Sequence, residues 1–309
     1  MDLSVIIPAR NEEWLVPTVE DVLKNSEADT EVIVILDGYW PEPGIADNPK
    51  VKIIHHSEPI GQRQATNEGI RLSEAKYIMK LDAHCCLDKG FDVKLMANME
   101  YDWTVVPRMY NMHVFDWKCV KCGKRSYMGP TPTSCKDCDN TTKFKKRIVW
   151  KPRRNRRSDF MRFDSELHFQ YWKDCGNREE SKGDIADLMC CLGACWFMDK
   201  DRYWELGGMD EGHGSWGQMG VEVACKAWLS GGRLVSNKDT WFSHMFRTQS
   251  GFGFPYQNPG HSAKEYSRDL WENNKWEGQV KNLSWLIKKF WPIPGWEIED
   301  LQRIRALEK

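Results

Sequence analysis

The stretch YIMKLDAHCC, Tyr77 to Cys86, decides how this chain is to be read. An apolar run ends on an acid, an alanine and a histidine. Two ionisable groups two residues apart are an unusual way to finish a buried strand, so Asp82 and His84 are candidates for a site. The segments before it give that site a frame. LSVIIPA (Leu3 to Ala9) is a short apolar, β-branched run, read as a buried strand. NEEWLVPTVEDVLKNS follows with helical spacing at Trp14, Leu15, Thr18, Val19, Val22 and Leu23, and Pro17 falls in its first turns, where it is tolerated. TEVIVILDG (Thr30 to Gly38) and VKIIHH (Val51 to His56) read as a second and a third buried strand. GQRQATNEGIRLSEA reads as a helix, and KYIMKLDAH as a fourth strand. Strand and helix alternate from residue 3 to residue 84, which predicts βαβ units and a mostly parallel α/β sheet. Ligands of such sheets bind at the carboxyl ends of the strands. Asp37, Asp82 and His84 all fall there, so the opening pair is expected to face a ligand crevice.

Bulk properties narrow the function class. The chain has 309 residues, 41% of them hydrophobic, which suffices for one large domain or two fused ones. Its net charge of −1 gives the whole molecule no electrostatic preference. The N-terminal MDLSVIIPARNEE has no basic leader region, and no apolar run reaches membrane-spanning length. The expectation is a chain of the cytoplasm, or of the host cytoplasm if viral, without a membrane partner. Eleven cysteines then read as free or metal-bound thiols rather than disulfides. Sixteen tryptophans suit a core, with some left to stack on a sugar or base.

From about residue 117 the character changes. CVKCGKRSYMGPTPTSCKDC holds two CxxC pairs, Cys119/Cys122 and Cys135/Cys138. Each pair can present two thiolates from one tight turn, and four thiolates close a tetrahedral zinc site. With no open position, that zinc would be structural. KFKKRIVWKPRRNRR (Lys143 to Arg157) follows, with nine Lys or Arg and no acid. It is either a solvated face or a phosphate-binding stripe. Further on, DKDRYWELGG reads as a short helix closed by glycines and GVEVACKAWLSGG as a helix ending on Gly231 and Gly232. TWFSHMFRT reads as a strand bearing His244, and Ser262 to Asn274 as a helix.

In that order SVIIPARNE, the strand ending at Asp37, LDAHC, GGMDEG, SWG, Glu222, SGG and SHMFR form a set. The set resembles the GT-A glycosyltransferases, most of all the family 2 enzymes and the catalytic domain of the polypeptide N-acetylgalactosaminyltransferases. The likeness covers the chain apart from roughly residues 110 to 185. It implies a GT-A fold carrying an inserted zinc ribbon. The expected division is a nucleotide-sugar half (1–110), ribbon and basic insertion (111–160), acceptor half (161–248), then a lid loop and helical tail (249–309). It also implies metal-dependent transfer from a nucleotide sugar, with UDP as the expected nucleotide. Asp82 and His84 match the family's metal motif and His244 its later histidine. An oxygen and two imidazoles suit Mn²⁺ better than Mg²⁺. By the same likeness Ala9, Asn11, Glu12, Asp37 and Trp216 are assigned to the donor. Asp37 could instead form a turn with Gly38, and Arg63 could approach the diphosphate or lie solvated on its helix. RTQSGFGFPYQNPG resembles the family's lid.

One departure concerns the base. Family 2 enzymes carry an acidic pair, Glu-Asp, shortly after Trp-Gly and the polypeptide-modifying enzymes Glu-Asn, whereas this chain reads WGQMGVE, with Met219 and Gly220 in those places. An inverting transfer needs a general base near the acceptor hydroxyl. Glu222, Asp210 and His213 are the candidates, and spacing selects none of them. His213 could equally touch the donor sugar or stand exposed. A retaining transfer could use the leaving phosphate as base and would tolerate the loss. The zinc ribbon and the basic stretch point to a nucleic-acid acceptor, best a hydroxymethylated base in viral DNA, flipped out to reach the donor. A protein Ser/Thr or a glycan is the alternative acceptor. A non-catalytic nucleic-acid-binding module on a degenerate fold is the alternative of another class.

Overall fold

The computed structural model of the chain describes residues 1–247, 253–254 and 260–308. The first part runs β1 (Leu3–Ala9), α1 (Leu15–Asn25), β2 (Thr30–Asp37), β3 (Val51–His56), α2 (Gln62–Arg71), β4 (Tyr77–Leu81), β5 (Cys85–Leu87) and α3 (Phe91–Met96). Next come the long strands β6 (Trp103–Cys119) and β8 (Phe144–Ser158), with the short β7 (Arg125–Tyr127) between them. β9 (Met161–Phe163), β10 (Phe169–Tyr171), β11 (Ile185–Asp187), β12 (Cys195–Asp199), α4 (Lys200–Glu205), α5 (Met219–Leu229) and β13 (Arg233–His244) complete the site region. Helices α6 (Gly260–Glu272), α7 (Leu283–Phe290) and α8 (Ile298–Leu307) follow.

The main sheet has the order β11-β13-β6-β12-β4-β1-β2-β3. β3, β2, β1 and β4 are mutually parallel, as the βαβ alternation predicts, and β6 and β13 run parallel to each other. β12 is antiparallel to both neighbours, β4 and β6. β2 is buried at every position because strands flank it on both edges and helices cover its faces. The expectation of a third buried strand needs correcting. Among the described residues β3 pairs with β2 alone, and Lys52, Ile53 and His55 are exposed on it. α1 buries Leu15, Thr18, Val19 and Val22, the residues its periodicity picked out.

β6 crosses the expected boundary at residue 110 without a break. Its first half pairs with β13, and its second half carries β7 and β8 antiparallel. The insertion is therefore an extension of the central sheet. The basic stretch Lys143 to Arg157 is nearly all β8, a strand whose side chains are mostly exposed or half-buried. A bulge in β8 puts Trp150 at φ +46°. Its ring centroid lies 6.2 Å from that of Trp14, and its Nε1 donates to Asp21 on α1 at 3.0 Å. Together with Trp14, Phe115 and Met245, this contact fastens the insertion to the core.

At the far end of β6 the sulfurs of Cys119, Cys122, Cys135 and Cys138 lie within 4.8 Å of one another. Cys119 and Cys138 sulfurs are 3.7 Å apart, and those of Cys122 and Cys135 3.5 Å. A zinc–sulfur bond of about 2.3 Å gives a tetrahedron with edges of roughly 3.8 Å, so the thiol set fits a zinc ion. Backbone N–H groups of Cys122 and Lys121 pull the Cys119 thiol down to about 6. Purified protein is expected to carry one zinc per chain by elemental analysis. Cys122→Ser should lose it and melt the β7–β8 end of the sheet at a lower temperature.

Candidate active site

Three chain segments meet at the carboxyl edge of the sheet. Asp82 follows the end of β4, where its N–H donates to the Ala194 carbonyl at 2.8 Å. His84 stands just before β5. His244 ends β13, whose antiparallel register places it opposite Cys85. One ligand atom from each of Asp82, His84 and His244 lies within 4.8 Å of the others. His244 Nε2 is 3.1 Å from Asp82 Oδ2 and 3.0 Å from His84 Nε2.

The surroundings orient this triad. Glu12, 6% exposed, takes His84 Nδ1 at 2.8 Å and also accepts from Arg247. A proton on His84 Nδ1, shared with Glu12, leaves a lone pair on Nε2 facing the other two groups. His244 Nδ1 is buried with no hydrogen-bond partner among the described residues. Two imidazole nitrogens facing each other beside a carboxylate satisfy one another poorly, whereas a cation between them would accept a lone pair from each. The donor set therefore fits a divalent metal. On the far side of Asp82, Oδ1 accepts from Lys80 Nζ and from Gln62 Nε2. Lys80 is fully buried and also donates to the Gly193 carbonyl at 3.0 Å. Burial alone would raise the Asp82 pKa, but the Lys80 ammonium and His244 outweigh it and hold the carboxyl well below the usual range. Burial dominates at His244 and pulls its imidazole down to about 4.

Two cavities adjoin the triad. Ala9, Arg10, Glu12, Asp37, Gly61 and Trp216 line one, together with Asp82 and His84. Phe169, Leu192, Met219, Phe246, Arg247 and Phe254 line the other, with Asp82, His84 and His244. Trp216 and Gln62 belong to both, and the Trp216 ring meets Phe254 edge-on at 5.9 Å. Ala9, Glu12, Asp37 and Trp216, which the family likeness assigns to the donor, all line the first cavity. Asn11, at φ +49°, is not among the lining residues. Asp37 also has a structural task, accepting from the N–H groups of Ile60 at 2.5 Å and Gly61 at 3.2 Å. Residues 248–252 and 255–259 of the expected lid lie outside the described residues.

The remaining expected residues are elsewhere. Arg63 lines neither cavity and is not solvated; it is 1% exposed. Its Nε donates to Glu222 at 2.8 Å, and its terminal nitrogens to the carbonyls of Gly214 and Gly217. Glu222 is fully buried, accepting also from Asp210 N at 2.6 Å and Lys226 Nζ at 3.0 Å. His213 is buried, with its ring 4.7 Å from that of Tyr266. Asp210 caps the turn after it and accepts from the Tyr266 hydroxyl at 2.9 Å. None of the three base candidates lines either cavity. Gly220 has a steric cause. A Cβ there would lie 1.8 Å from the Cys191 carbonyl oxygen, so no side chain fits at this position.

Sequence reading missed Gln62, Lys80, Phe246 and the partnership of Glu12 with His84. Lys80 had a signal, since a lysine inside a buried strand, two residues before an acid, shares its face. Glu12→Gln should cut Mn²⁺ affinity about 10–100-fold, as loss of such an orienting carboxylate does. Titration followed by the signal of free Mn²⁺ checks this. Glu222→Gln strands Arg63 and Lys226 and should cost about 3 kcal/mol of stability. Burial would raise the Glu222 pKa, but Lys226 and Arg63 outweigh it and lower it to about 2. Its stabilising contribution is complete above the ordinary glutamate value and is lost as pH falls towards 2. Unfolding of the parent and the variant followed against pH should therefore converge in acid.

The glycosyl transferase family 2 model matches residues 4–207. The chain is 22% identical over 312 residues to a putative polypeptide N-acetylgalactosaminyltransferase 13 of Drosophila melanogaster, covering 93% of this chain and 50% of that one. It is 26% identical over 269 residues to polypeptide N-acetylgalactosaminyltransferase 6 of Bos taurus, covering 82% of this chain and 38% of that one. The chain thus spans half or less of the length of these relatives. A crystal structure of GalNAc-T7 with UDP, GalNAc and Mn²⁺ superposes with a TM-score of 0.62 at 19% identity, over 99% of this chain and 54% of that one. Its fold is therefore shared. With the family match spanning most of the chain, the triad and its two cavities sit in a member of glycosyl transferase family 2.

Proposed function

We propose that the chain transfers a sugar from a UDP-sugar to a hydroxyl acceptor, with Mn²⁺ or a similar divalent cation held by Asp82, His84 and His244. The convergence of these three residues between two cavities is the observation that carries the reading. The cation would neutralise charge on the departing diphosphate. Ala9, Asp37 and Trp216 would bind the nucleoside end. The cavity bounded by Leu192, Met219 and Phe246 would take the sugar and the acceptor hydroxyl.

Among the described residues lining the cleft, the carboxylates are Glu12, Asp37 and Asp82, and each already has partners. Residues 248–259 bring no acid or histidine in their sequence. These facts favour a retaining transfer. The acceptor oxygen would bond to the anomeric carbon on the face the UDP leaves, while the carbon–oxygen bond to phosphate breaks. The acceptor proton would pass to the departing phosphate oxygen. Lys80 and Glu12 would act as positioning residues for Asp82 and His84.

A hydroxymethylated base in DNA is the acceptor we favour, because β8 brings a run of cations to the sheet edge. The names of the relatives favour a second reading, a Ser/Thr of a polypeptide. Labelled UDP-sugars offered with Mn²⁺ to hydroxymethylated DNA, unmodified DNA and a Ser/Thr-rich peptide test both. Label is expected on the hydroxymethylated DNA, with the sugar keeping the donor's anomeric configuration. Label on the peptide alone would favour the second reading, and an inverted product would require a base. No transfer and no donor hydrolysis would leave a binding module on a transferase fold.

A further inference from the structure

A third cavity opens beside the cleft, across Phe246, which lines both. Its polar wall is Arg153, Arg156 and Arg157 of β8, and Tyr127 and Tyr171 face it as well. Among the described residues no carboxylate lines it. The pairing of β8 with β6 explains how three arginines reach one place. Arg153 sits opposite Asn111 and Arg157 opposite Tyr110, so Arg154, Asn155 and Arg156 are extruded as a bulge. A regular strand would alternate Arg156 to the face opposite Arg153 and Arg157; the bulge lets it join them. Arg154 turns elsewhere, onto Trp241 at 5.4 Å.

These guanidiniums are poorly neutralised. Arg153 lies over the Tyr127 ring at 4.7 Å, and neither it nor Arg156 has a carboxylate partner among the described residues. Arg157 has Asp159 at 4.0 Å, but Asp159 is already bonded to Arg108 at 2.6 Å. Three adjacent like charges raise the free energy of the empty groove and lower that of an anion within it. The groove also continues. Arg157, Ser158 and Tyr171 are shared with a fourth cavity, where Arg108, Lys173, Lys182 and Lys238 outnumber Asp159 and Asp174.

We infer that this groove holds the phosphodiester backbone of a single-stranded nucleic acid and leads it past Phe246 to the metal cleft. The inference rests on the reading of the chain as a sugar transferase and names its acceptor track. All cations of the first section are arginines, whose planar forks match phosphate oxygens two at a time. Tyr127, which carries Arg153 on its ring, and Tyr171 are each 41% exposed, and Phe246 walls the entry to the cleft, so aromatic rings stand among the cations. Single-strand sites combine these two features, because an unstacked base needs a flat apolar partner. A duplex keeps its bases stacked and would leave the tyrosines unused.

Fluorescence anisotropy of the full chain tests this with a labelled twenty-nucleotide oligothymidine, the same oligomer as a duplex, and polyglutamate. The single strand should bind at least about tenfold tighter than either competitor, with affinity falling steeply as salt rises. R153Q/R156Q/R157Q should bind it about 100-fold more weakly and with a shallower salt slope, by about 2. R156Q alone, which removes no intramolecular ion pair, should weaken binding several-fold and serves if the triple variant misfolds. Binding by the triple variant equal to that of the parent overturns the inference, as does equal binding of polyglutamate or tighter binding of duplex. Mn²⁺-dependent hydrolysis of UDP-sugars by the parent, without acceptor, separates the claims. Its absence alongside intact strand binding would sink the transferase reading and the acceptor role but keep the groove.

Discussion

The buried pair of Arg63 and Glu222 is the constraint on which the site depends. Arg63 comes from α2 beside the cavity lined by Ala9 and Asp37, and Glu222 from the first turn of α5. Removing both charges from water is costly, and a pair at 2.8 Å recovers that cost only if every remaining valence is used. Here they are used on the loop between α4 and α5. Arg63 holds the carbonyls of Gly214 and Gly217, Glu222 holds the N–H of Asp210, and Lys226 holds the carbonyl of Gly208. The loop is thereby drawn so close to α2 that a Cβ on Gly61 would lie 2.9 Å from Ser215 Cα. Trp216, carried on this loop, becomes a wall shared by both cavities.

The same economy shapes the metal end. Lys80 is buried in the middle of the sheet, where an unpartnered amine would be costly, and Asp82 and the Gly193 carbonyl receive it. That contact turns one oxygen of Asp82 away and leaves the other for His244. Glu12 does for His84 what Lys80 does for Asp82. The segment from Cys191 to Gly193 also packs its backbone into the place a side chain at position 220 would need. One packing choice therefore anchors Lys80 and leaves no room for a side chain at position 220.

Much of this was legible in the sequence. The alternation from Leu3 to His84 is a strong periodic signal and gave the parallel half of the sheet. Asp37, Asp82 and His84 were found from their places at strand ends, and His244 through the family likeness. What escaped had no local signature. β8 lacks apolar alternation because its outward face is charged and its path contains bulges, so it read as a charge run. β3 looked buried because edge strands can be as β-branched as central ones. Glu222 and Arg63 are separated by 159 residues, and an acid on a helix reads as solvated until its partner is seen. The partnership of Glu12 with His84 spans 72 residues and has no local signature either.

The central claim is that a divalent cation at Asp82, His84 and His244 joins the protein to a nucleoside diphosphate. Binding linkage tests it directly, since a shared cation must strengthen UDP binding as much as UDP strengthens the cation's. Calorimetric titration of UDP with and without Mn²⁺, on the parent chain and on Asp82→Asn, is the measurement. The account predicts that Mn²⁺ tightens UDP binding at least about tenfold, a coupling of about 1.4 kcal/mol, and that Asp82→Asn abolishes this gain. Equal UDP affinity with and without Mn²⁺ in the parent would contradict it.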